Sequence, residues 1–221
     1  MKKLVSFTLL LCLSILFVSC EREPSDSVDQ DKIYAKYEII YDKNEDKTKV
    51  RAEFRFSGIV GTKLELSGGA SIKFNNSLIP YNSTFAYYES EFTGLISSGT
   101  FTYTDVDGNV YTNTTDELKS VAFTEDPITI THGTDYVMPF TGSPVGSDDI
   151  VTLNISDKVF ATSISGATSI TVGGVQTSSI TPGPYIGYMY RTLTREPADA
   201  TTEGGLILLT YKAANKAITV E

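Results

Sequence analysis

The chain has 221 residues and carries 27 acidic against 18 basic side chains, a formal net charge of -9 at pH 7. Nucleic acids and anionic membrane surfaces bind proteins through clustered lysine and arginine, so this balance argues against both as partners. Hydrophobic residues make up 41% of the chain, with 13 tyrosines and 11 phenylalanines, which is enough to build a folded core.

Residues 1–19 have the pattern of a secretory signal peptide. Lys2 and Lys3 precede a run of apolar and small residues from Leu4 to Ser19. The apolar part is too short for a membrane-spanning helix, which needs roughly 20 residues and usually polar anchors at both ends. We therefore predict that residues 1–19 are removed during export.

A cysteine follows this run directly. Phe17-Val18-Ser19-Cys20 resembles the lipobox of bacterial lipoproteins, in which cleavage occurs before a cysteine whose sulfur has been diacylated. The resemblance implies that Cys20 is lipidated and tethers an outer-membrane lipoprotein in the cell envelope, facing the periplasm or the cell surface. The alternative is an unmodified Cys20 after ordinary secretory cleavage. Since Cys12 lies in the leader, no disulfide can form within the mature chain.

Residues 20–31 are polar and without periodicity, which predicts a disordered linker behind the lipidated cysteine. Acidic residues in this position resemble the surface-export signals of Bacteroidota-type lipoproteins. Asp26-Ser27-Val28 resembles the three-residue O-glycosylation motif of the same group, which makes Ser27 a candidate glycosylation site. A solvated linker would have a similar composition without either role.

Beyond the linker the hydrophobic pattern has the period of β-strands. Apolar and polar residues alternate over residues 34–41 and 48–56, and the charged segment 42–47 between them predicts a long hairpin. A second hairpin is predicted over residues 99–112, with Gly108 supplying the positive φ of its turn. Further short runs rich in β-formers follow at residues 128–131, 136–140, 150–155, 159–164, 169–172, 186–193, 206–211 and 217–220.

This pattern predicts an all-β protein with two tandem β-sandwich domains, residues 32–125 and 126–221, behind the lipidated flexible linker. The boundary is placed at Glu125-Asp126-Pro127, and each half has about seven candidate strands. Strand number and spacing resemble immunoglobulin-like domains, although the chain has no tryptophan and no pair of cysteines for the core. One larger β-sandwich is the alternative.

The residues offer little chemistry for catalysis. His132 is the only histidine and lies in a predicted turn, and no Gly-x-Ser-x-Gly elbow is present. The segment from Asp105 to Asn109 and the pair Asp148-Asp149 could supply oxygen ligands to calcium, but turn formation explains them equally well. We predict no catalytic residues, no metal site and no cofactor.

Tyrosines are the remaining candidates for ligand contact. Tyr81, Tyr87 and Tyr88 lie in a segment rich in asparagine and serine, and Tyr185 and Tyr188 follow a Pro-Gly-Pro turn. Exposed tyrosines could stack on sugar rings or form a protein interface, whereas alternating tyrosines on a strand also serve core packing. We predict a noncatalytic binding or structural module with a protein or glycan partner. The alternative is a polysaccharide hydrolase that uses two facing carboxylates.

Overall fold

A computed structural model describes residues 22–221, so the predicted leader and Cys20 lie outside the described residues. Within them the chain forms nineteen strands, one short helix, α1 (Gly174–Thr177), and 3-10 turns at Ser25–Ser27 and Gln30–Lys32. The strands are β1 (Arg22–Pro24), β2 (Ile33–Asp42), β3 (Lys47–Phe56), β4 (Thr62–Glu65), β5 (Ser71–Phe74), β6 (Ser77–Leu78), β7 (Tyr81–Asn82), β8 (Tyr87–Thr93), β9 (Thr100–Thr104), β10 (Val110–Thr114), β11 (Ala122–Phe123), β12 (Ile128–Ile130), β13 (Tyr136–Thr141), β14 (Asp149–Ile155), β15 (Lys158–Thr162), β16 (Ser169–Val172), β17 (Gly183–Arg195), β18 (Gly205–Lys212) and β19 (Lys216–Val220).

One twelve-stranded sheet runs through the whole molecule, in the order β1-β4-β3-β2-β18-β17-β14-β15. Strands β7, β8, β12 and β19 extend it at the sides of this path. The hairpin of β2 and β3 is paired over all ten residues, from Ile33 opposite Phe56 to Asp42 opposite Lys47. Its strict alternation of buried and half-buried residues is the pattern predicted from the sequence.

In the first half, a smaller sheet of β10-β9-β5-β6 covers the inner face of the large sheet. The core between them is rich in aromatic rings. Tyr37 of the large sheet stacks on Phe101 of the small one with ring centroids 4.8 Å apart, and Phe54 packs on Tyr103 at 4.6 Å. The β9–β10 hairpin has the predicted turn, with Gly108 at a φ of +83°. This half is a β-sandwich.

In the second half, a sheet of β11-β13-β16 packs against β14, β17 and β19 of the large sheet. Its core is mainly aliphatic and includes the fully buried Val151, Leu153 and Ile170. The long strand β17 organises this half, because it pairs with β14 on one side and with both β18 and β19 on the other. The predicted all-β, sandwich-type fold is therefore confirmed.

The two sandwiches are joined by strand pairing across the predicted boundary at residue 125. Strand β18 pairs in parallel with β2 along eight residues, from Gly205 opposite Ala35 to Lys212 opposite Asp42. Leu193, Ile207 and Leu209 lie in the first core although they come from the second half of the sequence. The range 32–125 thus needs correction, because the first sandwich also contains β18. Alternation determines which face of a strand is buried, but not which strand it pairs with.

The segment predicted as a disordered linker is ordered from residue 22 onward, which corrects that expectation. Strand β1 pairs with β4, and the side chain of Gln30 donates to the carbonyls of Ser25 and Val28 at 2.7 and 2.8 Å. Ser25 is fully buried, and its hydroxyl accepts from the Ser67 amide. Hydrogen bonds therefore fix a segment whose composition is too polar to be recognised as folded.

Within residues 22–221, none of the helices has the length and apolar character needed to cross a membrane.

Candidate functional site

Tyr188 is the most accessible tyrosine on the outer face of the large sheet, with 42% of its surface exposed. Residues of β17 alternate between the faces, so Met189 and Arg191 point into the core while Tyr188 and Tyr190 lie on the outside. On the neighbouring strand β14, Asn154 lies opposite Tyr188. The ring of Tyr188 forms part of two adjoining grooves, one apolar and one polar.

The apolar groove is open and has a volume of about 470 Å³, within the range of roughly 300–1,000 Å³ typical of small-molecule sites. Its walls come from β17, β19 and the β14–β15 turn. Ile186 is about half exposed, and its register partner on β19 is Ala217. The residues that line the groove are Ser156, Pro184, Tyr185, Ile186, Tyr188 and Ala217.

The polar groove lies on the other side of Tyr188, where the β2–β3 and β18–β19 turns meet. Asn44 connects these turns, because its side-chain amide donates to Asp42, to the Ala213 carbonyl and to Asn215 at 2.9–3.2 Å. The Asn215 amide donates back to Asn44 at 2.8 Å. The residues that line the groove are Asp42, Asn44, Glu45, Tyr188, Tyr190, Lys212 and Asn215. We call the two grooves together the Tyr188 site.

The charged groups of the polar groove hold one another in place. Partial burial alone would raise the pKa of Asp42, but hydrogen bonds from Asn44 and the Lys212 ammonium outweigh burial and lower this pKa. Lys212 Nζ lies 3.6 Å from Asp42 Oδ2. Partial burial, with Tyr188 and Asp42 nearby, raises the pKa of Tyr190. At neutral pH Asp42 is therefore a carboxylate and Tyr190 a neutral phenol.

Asn154 adds an unsatisfied acceptor beneath this surface. Its side-chain oxygen is buried and has no hydrogen-bond partner among the described residues. Buried polar atoms are normally paired, so this oxygen is an exception among the described residues. Strand β15 pairs with the other edge of β14, and there the exposed Val159 lies opposite Asn154.

Directly behind the site, on the core side of β17, lies a buried ion pair. The guanidinium of Arg191 donates to Asp149 on β14 and to the carbonyls of Ser143 and Pro144 at 2.6 and 3.0 Å. Lys119 Nζ contacts the same carboxylate at 3.0 Å. The pair thus fixes the segment between the two sandwiches and the loop before β14 against the large sheet. Asp149, considered from the sequence as a calcium ligand, has cationic side chains as its partners.

The structure divides the five tyrosines predicted as ligand contacts between two places. Tyr188 lines both grooves, and Tyr185 lines the apolar groove while its hydroxyl donates to the Thr181 carbonyl at 2.6 Å. The other three lie together in the first half: Tyr81 packs on the buried Tyr88, and Tyr87 lies beneath the Arg51 guanidinium at 4.9 Å.

Tyr88 acts as a packing residue in that first-half group. Its ring meets Phe54 edge-on, and its hydroxyl accepts from the Leu66 amide at 2.7 Å. Tyr88 is therefore a core residue, the alternative considered for these tyrosines, whereas Tyr188 remains exposed on the surface. Sequence reasoning missed Asn44, Lys212 and Asn215. The pairing of β17 with β18 places Lys212 opposite Tyr190, and the parallel pairing of β18 with β2 brings the turn of Asn44 to the same place.

The remaining candidates have local roles. Ser27 is exposed, and its hydroxyl donates to the Pro24 carbonyl at 2.7 Å. His132 is exposed in a turn and lies 3.1 Å from the Ser178 carbonyl through Nε2. The carboxylate of Asp105 is buried and accepts from the amides of Asp107 and Asn109, which makes it part of the hairpin turn.

Two glutamates share a groove that lies where β17 ends and where β2 and β18 begin. Glu196 and Glu203 line it together with Tyr34, Pro197, Gly204, Gly205 and Leu206. Among residues 22–221, no group of three or more histidine, cysteine, aspartate or glutamate side chains is placed to hold a metal ion.

No protein-family model and no curated protein matches this chain. Among solved structures, it aligns with a 1.5-MDa bacterial ice-binding adhesin at 16% identity and a TM-score of 0.26. It also aligns with a Ca²⁺-stabilized adhesin of an Antarctic bacterium (14%, 0.30) and with fibronectin(III)-like modules of CbhA from Clostridium thermocellum (10%, 0.29).

Each alignment covers 85% of this chain, and 66%, 49% and 89% of the respective structures. The chain thus spans about two thirds of the first structure and half of the second. With TM-scores this low, no activity is transferred from them to this protein.

Proposed function

We propose that the protein is a lipid-anchored, noncatalytic binding module of the cell envelope whose Tyr188 site binds a glycan. One observation carries the proposal: a single exposed tyrosine lies between an apolar groove and a groove lined by two amide, two acidic and one lysine side chain. A sugar ring presents an apolar face and a rim of hydroxyls, so it needs both kinds of surface at once.

The polar groove suits such a rim. Asn44 and Asn215 offer amide groups that both donate and accept, while Asp42 accepts and Lys212 donates. Their hydrogen bonds to one another hold these side chains in position before a ligand arrives, which reduces the entropy lost on binding.

The ligand proposal is tested with a glycan array of bacterial and animal polysaccharides. The probe is the full chain carrying Cys20→Ser, so that lipid does not obscure the result. We expect Tyr188→Ala to weaken binding to the glycans retained by the parent about tenfold or more, the equivalent of about 1.4 kcal/mol. Phe85→Ala is the matched control, because this exposed aromatic residue lies in the first half. An array with no bound glycan, or equal losses in both variants, contradicts the proposal.

The anchor is tested separately by metabolic labelling with an alkyne-tagged fatty acid. We expect the label in the wild-type chain and its loss in Cys20→Ser, with the variant leaving the washed membrane fraction. The β-sandwiches are built from residues 22–221, so the variant should keep the far-UV circular dichroism of the parent. Membrane retention of Cys20→Ser would count against lipidation.

A polysaccharide hydrolase is the second candidate function, because Glu196 and Glu203 line one groove. Glycosidases use two carboxylates on either side of the scissile bond. If this groove is catalytic, the protein releases reducing sugar from polysaccharides and either Glu196→Gln or Glu203→Gln abolishes that release. Activity that survives both substitutions, or no release at all, removes this candidate.

A further inference from the structure

The start of the fold lies close to the predicted lipid. Arg22 opens β1 and lies two residues after Cys20. A chain of two residues spans at most about 7 Å, so the described part of the protein begins within that distance of a lipidated residue. The ordered segment from residue 22 onward leaves no long spacer between the lipid and the sheet.

The direction of β1 identifies which part of the molecule faces the lipid. β1 and β4 are parallel, with Arg22 opposite Lys63. The first residues of both strands therefore lie at the same end of the sheet. β4 is preceded directly by the loop of residues 57–61, so this loop and the start of β1 share one end, which we call the anchor end.

The loop at the anchor end presents two apolar side chains to the outside. Val60 is 90% exposed and Ile59 is 54% exposed. The loop is closed by a hydrogen bond from the Gly61 amide to the Gly58 carbonyl at 3.0 Å, and Arg55 donates to the Gly61 carbonyl at 3.0 Å. These bonds hold the loop so that its apolar tip projects from the end of the sheet.

A third exposed apolar side chain lies beside this end. Phe85 is 58% exposed, and its carbonyl accepts from Lys63 Nζ at 3.1 Å. Two of the basic side chains nearby are paired, since Arg55 and Lys63 both contact Glu53 at 2.6 and 2.5 Å. The exposed apolar side chains thus distinguish this surface.

We infer that the loop of residues 57–61, together with Phe85, is a membrane-contact surface, on which Ile59 and Val60 enter the headgroup region of the bilayer that holds the Cys20 lipid. The inference rests on the lipidation of the proposed function. The occupant is a lipid surface without a requirement for negative charge, in agreement with the acidic composition of the chain.

This contact would orient the Tyr188 site. The β2–β3 hairpin has the loop of residues 57–61 at one end and Asn44 at the other. A strand of ten residues is about 30 Å long at about 3.3 Å per residue, so the polar groove lies roughly that far from the anchor end. Membrane contact at the loop therefore turns the proposed ligand site away from the lipid.

The test uses the absence of tryptophan from the chain, because one substitution then introduces a single fluorophore. Val60→Trp and Val175→Trp are matched, since the two valines are 90% and 89% exposed and Val175 lies on α1 in the second half. Each full-length lipidated variant is reconstituted into phosphatidylcholine vesicles, some of which contain brominated lipid.

We expect the fluorescence of Val60→Trp to shift to the blue in vesicles and to be quenched by the brominated lipid. The fluorescence of Val175→Trp should stay unquenched and match that of the same variant carrying Cys20→Ser in buffer.

Vesicle flotation separates the inference from the proposed function. If the variants float but Val60→Trp remains unquenched, or if both variants are quenched alike, the membrane-contact inference is overturned and lipidation stands. If the protein does not float at all, lipidation fails and the inference fails with it.

Discussion

The two halves of the large sheet differ in how they arrange their charges. In the first half, charges cover the outer face in cross-strand pairs such as Arg51 with Glu89 and Lys47 with Glu91, above an aromatic core. In the second half, Arg191 and Asp149 are buried beneath the sheet, and the outer face around Tyr188 combines hydroxyl, amide and apolar groups with the charged Asp42, Glu45 and Lys212.

This contrast explains which surface is available to a ligand. The charged face of the first half is satisfied by its own partners, so binding there would have to break ion pairs and desolvate them. The face around Tyr188 has one such pair, Asp42 with Lys212 at 3.6 Å, and it leaves Tyr188 and Ile186 uncovered.

The largest expected effect comes from breaking the internal charge pair. Arg191 is 1% exposed, and Arg191→Ala leaves the buried carboxylate of Asp149 without its closest partner. We expect the free energy of unfolding to fall by about 3–5 kcal/mol, the usual loss when one member of a buried pair is removed. Urea denaturation followed by circular dichroism measures this loss. A change below about 1 kcal/mol would mean that the pair is not buried as described.

The same pair predicts a response to acid. Burial alone would raise the pKa of Asp149, but hydrogen bonds from Arg191, the Gly146 amide and Lys119 outweigh burial and lower this pKa. A group with a lowered folded-state pKa contributes stability that is complete above its unfolded value of about 3.9 and is lost as the pH falls through the folded value.

We therefore expect the wild type to lose more free energy of unfolding below about pH 4 than Asp149→Asn, which is already destabilised at neutral pH. Urea unfolding at a series of pH values measures both curves. Parallel curves would assign the acid response to other carboxylates.

The outer pairs of the first half should matter much less. Arg51→Ala removes a partly exposed partner of Glu89, and surface pairs contribute about 0–1 kcal/mol. The loss should also shrink as salt is raised, because solvent-exposed charges are screened. The measurement is the same urea titration at low and high ionic strength. If Arg51→Ala lowers the free energy of unfolding as much as Arg191→Ala does, the outer pairs of the first half stabilise the fold as strongly as the buried pair of the second half.

The smallest effect on stability is expected at the proposed ligand site. Tyr188 is 42% exposed, and Tyr188→Ala should change the free energy of unfolding by no more than about 0.5 kcal/mol. Tyr188→Ala would then weaken glycan binding without lowering stability, whereas loss of a packing residue would lower stability as well. A loss of more than about 2 kcal/mol would show that the ring is part of the fold rather than of a site.

Local features were predicted well from the sequence, and long-range ones were not. The β2–β3 hairpin follows from its alternation, and the β9–β10 turn follows from Gly108, since both depend on neighbouring residues. The pairing of β18 with β2 depends on residues about 170 positions apart. Arg191 occupies an inward position of β17, where the sequence pattern alone gives no sign of its partner Asp149.

The Tyr188 site shows the same limit. Tyr188 was predicted as a ligand contact because it is one of several tyrosines after a proline-rich turn. Its polar neighbours lie on turns at residues 42–45 and 212–215, whose proximity follows from strand order and not from spacing in the sequence. The sequence therefore predicts the tyrosine of the site but not its polar neighbours.

The position of β18 also determines when the first sandwich can be completed. A chain is synthesised from its N-terminus, so residues 205–212 emerge after the other strands of the first sandwich. Until they do, β2 has no partner on one side and the first core lacks Ile207 and Leu209. Such distant contacts slow folding, because the chain must close a long loop before it gains them. The first sandwich thus stays incomplete while most of the second half is made, so a nascent chain exposes an open sheet edge until β18 is free.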